Sequence, residues 1–510
     1  MKDEFAQRLS IAKKHRQEYI DEAAREVYKF CFNGRETEWD GSKRRDDEPE
    51  EIFADDPGTI SEEFAGELFS TMTPENAPWV EYEPGHGVDP SQEAETQESL
   101  EQFELIMDAA VRASNYYHEG PTAFQDAVVG NVVLWAERPT LNSAIVFEAV
   151  PLAECHFRLG PNGIDDRFRT QKYAYTDLPV LLPRATFPKK IKDKIDKGST
   201  QNAKVCYGFW KTHKDPENPI WVMRVRVDGE PVGLDDDLGE DGSCPMIVGR
   251  FNPMAKSAWG RGPGLRMLPK MRVLDELTRM GIEGMDRTLD PAIFYPNDGV
   301  IDLSDGIESG MAYPTMPGST DHIKEMGLGG ALDYGFFAED RIVEAMRYGF
   351  YREPGQKGKT PPSASQYVGE EQKTLRRIAR PAAKLWSEIG VGVLKRVEYL
   401  ERQPGGSLVG VEIPIIDSGQ VIVRPISPLE RAQAREEVLV AQSIMGMTME
   451  NLGPEQAAMV IDGPKTMGKV KSVLKDKIVE FRSNEEIQQI MQMQQPQQQQ
   501  VPNGEPPPQA

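Results

Sequence analysis

The feature that most constrains the fold is a block of strand patterns that leads directly into a long helical pattern. Residues 221–227 place apolar side chains at every second position, which predicts a β-strand. Residues 205–211 predict a strand before it, and a further strand ends near Phe251. From 265 to 290 the apolar residues instead recur every three or four positions, which predicts a long helix.

Helical patterns flank this block on both sides. Residues 3–32 and 97–118 predict amphipathic helices before it. Residues 364–402 predict the longest helix of the chain, with a kink at Pro381. No regular alternation of strands and helices accompanies these patterns, so we expect an α+β fold rather than a parallel α/β sheet.

The charge of the chain is strongly negative but unevenly distributed. The sequence has 59 Lys and Arg against 82 Asp and Glu, a net charge of −23. Residues 36–104 hold 22 acidic and three basic residues, whereas residues 184–214 hold nine basic and two acidic ones. Because Lys and Arg provide the affinity for a phosphate backbone, this balance argues against a protein that reads DNA sequence.

One short helix opposes the overall charge. Residues 187–197 predict a helix whose buried side carries Ile191 and Ile195. Its exposed side carries the candidate contact residues Lys189, Lys190, Lys192, Lys194 and Lys197. A solvated helix face explains such a run, and so does a surface that contacts phosphates or an acidic partner.

Two glycine-containing motifs resemble nucleotide-binding loops but lack essential positions. Residues 463–469 have the glycine and lysine spacing of a phosphate-binding loop, yet Val470 stands where Ser or Thr should bind magnesium. Residues 260–264 lack the last glycine of a dinucleotide fingerprint. We interpret the first as a turn between helices. The second predicts a tight strand-to-helix joint made by Trp259, Gly260, Arg261, Gly262 and Gly264.

Other candidate sites are weaker still. The acidic residues 235–241 lack the spacing of a calcium loop and predict a solvated hairpin tip. Six scattered histidines and four cysteines form no catalytic or zinc-binding pattern. We therefore expect no enzyme activity, no cofactor and no metal. The charged N-terminus and the lack of a long apolar stretch predict neither a signal peptide nor a membrane span.

Several segments, taken together and in order, resemble the head-to-tail connecting (portal) proteins of T7-like short-tailed phages, the podoviruses. The most specific block is 244–250 followed by 259–264 and 268–277, with Asp290-Pro291 after it. Residues 122–134, 359–366 and 426–433 also resemble family segments. The resemblance covers about 120–440, and residues 36–104 match poorly.

The resemblance implies a portal fold with a wing, a two-helix stem, a β-rich clip and a helical crown. Laid on this chain, it predicts the N-terminal wing at 1–175, the first stem helix at 176–198, the clip at 199–258, the second stem helix at 259–291, the tunnel loop, long helix and rest of the wing at 292–425, the crown at 426–482 and a disordered Gln- and Pro-rich tail at 483–510.

The resemblance also implies a function without chemistry. It predicts a homo-oligomeric ring of 12 subunits at the capsid vertex of the virion, assembled in the host cytoplasm. Double-stranded DNA would pass through the ring during packaging and ejection. The implied partners are the major capsid protein, the scaffold, the terminase motor and the tail or adaptor proteins. Two alternatives stay open: a vertex adaptor or scaffold protein without a channel, and a nucleotide hydrolase that uses residues 463–469.

Overall fold

The structure, a computed structural model, describes the main part of the chain. The described residues are 3–33, 35, 39, 52–89, 93–161, 163–212, 219–289, 293–294, 324–325, 332–352, 377–411, 421–426, 428–453, 466 and 470. The chain divides into two compact units, residues 1–426 and 427–510. Each unit is considered by itself.

The first unit contains most of the helices and the strands. Its helices are α1 (Glu4–Tyr19), α2 (Asp21–Cys31), α3 (Asp56–Met72), α4 (Glu93–Ala113), α5 (Tyr116–Gln125), α6 (Leu178–Leu181), α7 (Lys189–Asp196), α8 (Pro263–Leu289), α9 (Leu332–Gly349), α10 (377–385) and α11 (Val391–Arg402). Its strands are β1 (Val80–Pro84), β2 (Asn131–Glu137), β3 (Val146–Ala149), β4 (Cys155–Gly160), β5 (Gly163–Ala174), β6 (Asn202–Thr212), β7 (Ile220–Val227), β8 (Glu230–Gly239), β9 (Met246–Arg250), β10 (Ile293–Phe294), β11 (Lys324–Glu325) and β12 (Val421–Pro425). This mixture confirms the α+β class.

An antiparallel sheet in the order β4-β5-β6-β7-β8 is covered on both faces. On one face α1 inserts Phe5, whose ring lies 5.5 Å from that of Phe168 and 6.2 Å from that of Trp210. On the other face Ile191 of α7 joins Val205 and other buried strand residues in a second apolar cluster. The predicted strands at 205–211 and 221–227 are confirmed. The face of β7 that carries Arg224 and Arg226 is also covered, by α1. Polar residues at these positions would instead suggest a face exposed to solvent.

The prediction that the acidic residues 235–241 form a hairpin tip is wrong. Most of them belong to the edge strand β8. Asp235 accepts a hydrogen bond from Arg226 at 3.0 Å, and Asp237 accepts one from Arg224 at 3.2 Å. The arginines that alternate along β7 therefore face acids of the neighbouring strand. Charged side chains on an edge strand also discourage pairing with another sheet.

A second antiparallel sheet, in the order β3-β2-β9, lies at the main apolar core. Both of its edges are closed by side chains. Asn115 bonds both the amide (2.6 Å) and the carbonyl (2.8 Å) of Phe147 on β3. Glu388 accepts the amide of Arg250 on β9 at 2.9 Å and also binds its guanidinium. These contacts satisfy backbone groups that would otherwise end the sheet unpaired.

Two predicted helices are each interrupted. The predicted helix 3–32 consists of α1 and α2, separated at the buried residue Ile20, whose φ and ψ of −144° and −28° are not helical. The predicted helix 97–118 consists of α4 and the first part of α5. The chain leaves the helical conformation at Ile20, and the side chain of this residue is buried there. The helical spacing of apolar residues continues across this position, so the spacing does not predict the break.

The predicted helix 364–402 is described from residue 377 onward. Between α10 and α11 it contains a π-helical segment, Trp386–Gly390. A π-segment is one of the usual causes of irregularity in a helix. The kink was predicted at Pro381, and the π-segment begins five residues after that position. This segment carries Glu388, the residue that closes the β9 edge.

Helices α8 and α9 pack against each other in antiparallel directions. Arg266, near the start of α8, donates to the carbonyl of Gly349 at the end of α9. Further along, Gly281 of α8 approaches Glu339 of α9. The chain between the two helices includes one described antiparallel pairing, of β10 with β11.

The segment 176–198, predicted as the first stem helix, contains the short helices α6 and α7. Both lie against the five-stranded sheet, which also joins residues 155–174 to residues 202–239 across the predicted wing–clip boundary. The division into wing, stem, clip and crown stays a prediction.

The second unit is described mainly by one helix, α12 (Pro428–Leu452). The phosphate-loop-like residues 463–469 lie outside the described residues except for position 466, as does the segment 359–366 completely. Among the helices that are described, none combines the length and apolarity that a membrane crossing requires.

Candidate functional site

The predicted glycine joint packs directly against the turn that precedes β2. The amide of Gly262 donates to the carbonyl of Val129 at 2.8 Å, and the amide of Phe251 donates to the carbonyl of Gly130 at 2.8 Å. Arg261 donates its amide to the carbonyl of Phe251 at 3.2 Å. Two segments that are about 130 residues apart in sequence therefore lie backbone against backbone.

Asn131 fixes this contact through its side chain. Its Oδ1 accepts the amide of Gly260 at 2.8 Å, and its Nδ2 donates to the carbonyl of Ala258 at 3.2 Å. The residue is fully buried, so both ends of the amide are satisfied where an unpaired polar group would be costly. Trp259 is also buried, with its ring 5.0 Å from that of Phe157.

The glycines are required because no room exists for a Cβ atom. A Cβ on Gly130 would lie 2.5 Å from the carbonyl carbon of Gly260, and its φ of +145° disfavours other residues. A Cβ on Gly260 would overlap the carbonyl of Gly130 in return. Gly262 and Gly264 meet Val128 in the same way. Protein backbone fills the space that a dinucleotide loop would offer to a cofactor.

The joint sets the start of α8. Immediately after it, Leu268, Met271 and Leu274 enter the main core. The same helical stripe continues through Ile282 and Met285, which are 50% and 42% exposed. On the opposite side of the helix, Val273 and Met280 are 51% and 56% exposed. The second half of α8 therefore presents apolar side chains on two opposite sides.

The five predicted lysines lie on α7 or directly after it but have different surroundings. All of Lys189, Lys190, Lys192, Lys194 and Lys197 are exposed. Lys194 donates to the hydroxyl of Tyr175 at 2.6 Å, and this hydrogen bond raises the pKa of Lys194. Lys190 forms a surface ion pair with Glu230 at 3.5 Å. These lysines therefore lie beside the five-stranded sheet, whereas the glycine joint lies beside the β3-β2-β9 sheet.

The sequence analysis did not predict a further group of cations, which lies on the face of the five-stranded sheet opposite α7. Lys172 of β5 and Lys204 of β6 are direct cross-strand partners, and Lys13 of α1 lies near Lys204. Their proximity depends on strand register between positions 32 residues apart, which no local pattern indicates. The sequence signal was limited to the basic balance of residues 184–214.

Buried arginines connect the helix α11 to the sheets. Arg396 donates to the carbonyls of Ala136 (2.8 Å) and Ser243 (2.7 Å), and burial lowers its pKa. Arg138 pairs with Glu401 where both side chains are largely buried. Removing one member of such a pair leaves a buried charge without compensation.

The described residues show no arrangement suited to chemistry. Within them, no group of three His, Cys, Asp or Glu side chains could hold a metal ion. The cysteines are buried, and burial raises the pKa of the Cys31 thiol to about 12. A thiol with so high a pKa is a poor nucleophile.

The joint gives a direct test with a matched control. We expect Gly260→Ala to abolish soluble expression or to lower the unfolding midpoint strongly, because the added methyl group overlaps a fixed carbonyl. Gly66→Ala on α3 meets nothing within 4 Å, so it should stabilise the chain slightly, by about 0.5–1 kcal/mol. Thermal unfolding followed by circular dichroism compares them. Equal midpoints for the two variants would contradict the close contact.

Comparisons with known proteins agree with the sequence resemblance at the family level. The profile of a family described as bacteriophage head to tail connecting protein matches residues 2–332. No curated protein sequence matches the chain. A chain from the "Virion of native gene transfer agent (GTA) particle" is 12% identical, with 76% of this chain and 84% of that chain covered and a TM-score of 0.37.

A chain from the "Neck of empty GTA particle computed with C6 symmetry" is 10% identical, with 82% and 90% covered and a TM-score of 0.41. The narrower resemblance to T7-like phages stays a prediction. The family profile covers well over half of the sequence. The chain therefore belongs to the bacteriophage head-to-tail connecting proteins.

Proposed function

We propose that the protein forms a ring at the capsid vertex of a virion, through which viral DNA is packaged and ejected. The observation that carries this proposal is the exposed apolar surface of α8 in a member of the head-to-tail connecting family. As a member of that family the protein is a structural component of a phage particle and not an enzyme.

The exposed sides of α8 suit packing between neighbouring subunits. Ile282 and Met285 continue a stripe that is buried in the first half of the helix, yet both are exposed. Val273 and Met280 face the other way. A closed ring needs different surfaces toward its two neighbours, and a helix with two opposite apolar sides provides them.

We assign the stem to α8 and α9 rather than to α8 and the segment 176–198. The antiparallel pair α8–α9 has the two-helix arrangement that a stem requires. Helix α7 has eight residues and packs on the sheet, so it contributes to the wing in this arrangement.

The distribution of charge fits a channel rather than a DNA-binding surface. Over residues 265–290, five acidic and five basic residues balance, so α8 together with Asp290 carries no net charge. Without an excess of positive charge, this segment would let phosphates pass without the counterion-release affinity that would hold them. The net charge of −23 is concentrated in 36–104, in the proposed wing.

The remaining details of the proposal come from the family resemblance. They are a ring of 12 subunits, contact with the major capsid protein and scaffold, docking of the terminase motor and later of the tail proteins, and assembly in the host cytoplasm. The exposed lysines of α7 would face the tunnel or the tail-side partner.

Substitution of the exposed apolar residues of α8 tests ring formation. We expect Ile282→Lys together with Met285→Lys to leave the chain folded, because both side chains are exposed, and to prevent the ring. Mass photometry should then report single chains of 57.1 kDa in place of rings.

The control is Leu105→Lys with Leu141→Lys, two side chains that are 60% and 64% exposed outside α8. It adds the same charge at apolar positions that are more exposed than Ile282 and Met285, and we expect it to keep the ring. A ring that forms equally well with both double variants would refute the role of α8.

Charge reversal on α7 tests the role of its lysines. We expect Lys189→Glu, Lys192→Glu and Lys197→Glu together to permit ring formation, because these side chains are exposed, and to reduce packaging or tail attachment at least tenfold. Virion yield and electron micrographs of purified particles give the measurement. Unchanged yield of tailed, filled particles would show that α7 is only a solvated surface.

A further inference from the structure

Three lysines on the α1 side of the five-stranded sheet form a concentrated positive surface. Lys172 and Lys204 stand directly opposite each other on β5 and β6, and both are exposed. Lys13 of α1 lies close enough to Lys204 for the two charges to interact. Like charges directly opposite on neighbouring strands destabilise a sheet. We call these three residues the lysine surface.

Acidic side chains in the described part of the chain do not neutralise the lysine surface. No ion pair links Lys13, Lys172 or Lys204 to an acid there. The carboxylate of Asp228 lies nearby, but its Oδ1 accepts the backbone amide of Lys204 at 2.9 Å and its Oδ2 accepts the hydroxyl of Tyr175.

The neighbouring groups respond to this positive charge. Partial burial and then the charges of Lys204 and Arg16 lower the pKa of Lys13. His156, on β4, is buried with no hydrogen bond to its Nδ1, and burial together with Arg16, Lys13 and Lys204 holds its pKa well below the usual range. An anionic group placed over this surface would relieve the repulsion.

We propose that the lysine surface binds the acidic run at residues 46–51 of a neighbouring copy in the ring. This inference rests on the proposed ring. The run, Asp-Asp-Glu-Pro-Glu-Glu, has five acids in six residues. Its position lies outside the described residues, so the assignment depends on charge complementarity. Opposite charges on different surfaces of one chain give the heterologous contact that a closed ring requires.

A carboxylate partner suits this surface better than DNA. The chain carries 82 acidic residues, so most approaches of a phosphate backbone to it are repelled, whereas a neighbouring copy brings the acidic run by symmetry. Contact between exposed charges is weakened by salt, so we expect the ring to dissociate at lower salt concentration when the contact is lost.

Two charge-reversed chains test the contact and its direction. In the first chain Lys13, Lys172 and Lys204 are each changed to Glu. In the second chain, Asp46, Asp47, Glu48, Glu50 and Glu51 are each changed to Lys. Each chain alone should form at least tenfold fewer rings than wild type, because the facing surfaces then carry like charges. A 1:1 mixture should recover rings, because each chain complements the other.

A third chain carries both sets of reversals and separates contact between copies from contact within one copy. Contact between copies predicts rings from the third chain and from the 1:1 mixture. Rings from the third chain but none from the mixture would place the acidic run on its own chain and overturn the proposal. Rings from the first chain at wild-type yield would also overturn it and leave DNA or another partner as the occupant.

Two controls distinguish a wrong assignment of the lysine surface from a wrong proposed function. Lys189→Glu, Lys192→Glu and Lys197→Glu reverse the same charge on the other face of the sheet and should keep rings. If wild type forms no ring, the proposed function fails, whatever the variants do. If the first chain does not fold by circular dichroism, the milder Lys→Gln changes at the same three positions replace it, with the same expected loss of rings.

Discussion

The structure depends on the backbone contact between the turn at Gly130-Asn131 and the segment 258–262. Asn131 holds the amide of Gly260 and the carbonyl of Ala258, and paired glycines let the two backbones meet without a Cβ atom between them. This contact joins the β3-β2-β9 sheet to the first residue of α8. The direction of α8, and with it the placement of its exposed apolar sides, follows from that junction.

Polar and charged side chains close the edges of the sheets around the apolar core. The edges of the sheets end at charged or polar side chains, such as Glu388 at β9 and Asn115 at β3. Acids of β8 neutralise the arginines of β7. Exposed positive charge lies at α7 and on the lysine surface. A negative chain with a nearly charge-balanced α8 and two local positive surfaces agrees with the proposed assembly of copies around a DNA path.

Sequence patterns predicted the elements better than their partners. The alternation at 221–227 and the helical spacing at 265–290 gave strands and a long helix correctly, because local sterics and burial periodicity decide these features. The break at Ile20, the π-segment at Trp386–Gly390 and the pairing of acidic β8 with β7 depend on tertiary contacts. The glycine spacing indicated a tight joint, but its partner lies about 130 residues away. The lysine surface could not be predicted, because it exists only once strand register is set.

In the proposed ring, neighbouring copies cover the exposed sides of α8 and enclose a DNA-sized channel. Negative-stain electron microscopy of the purified full-length protein tests it most directly. A ring assembled through α8 should give end-on views with rotational symmetry and a central hole. Single chains or dimers at every concentration, or closed particles without a hole, would contradict it.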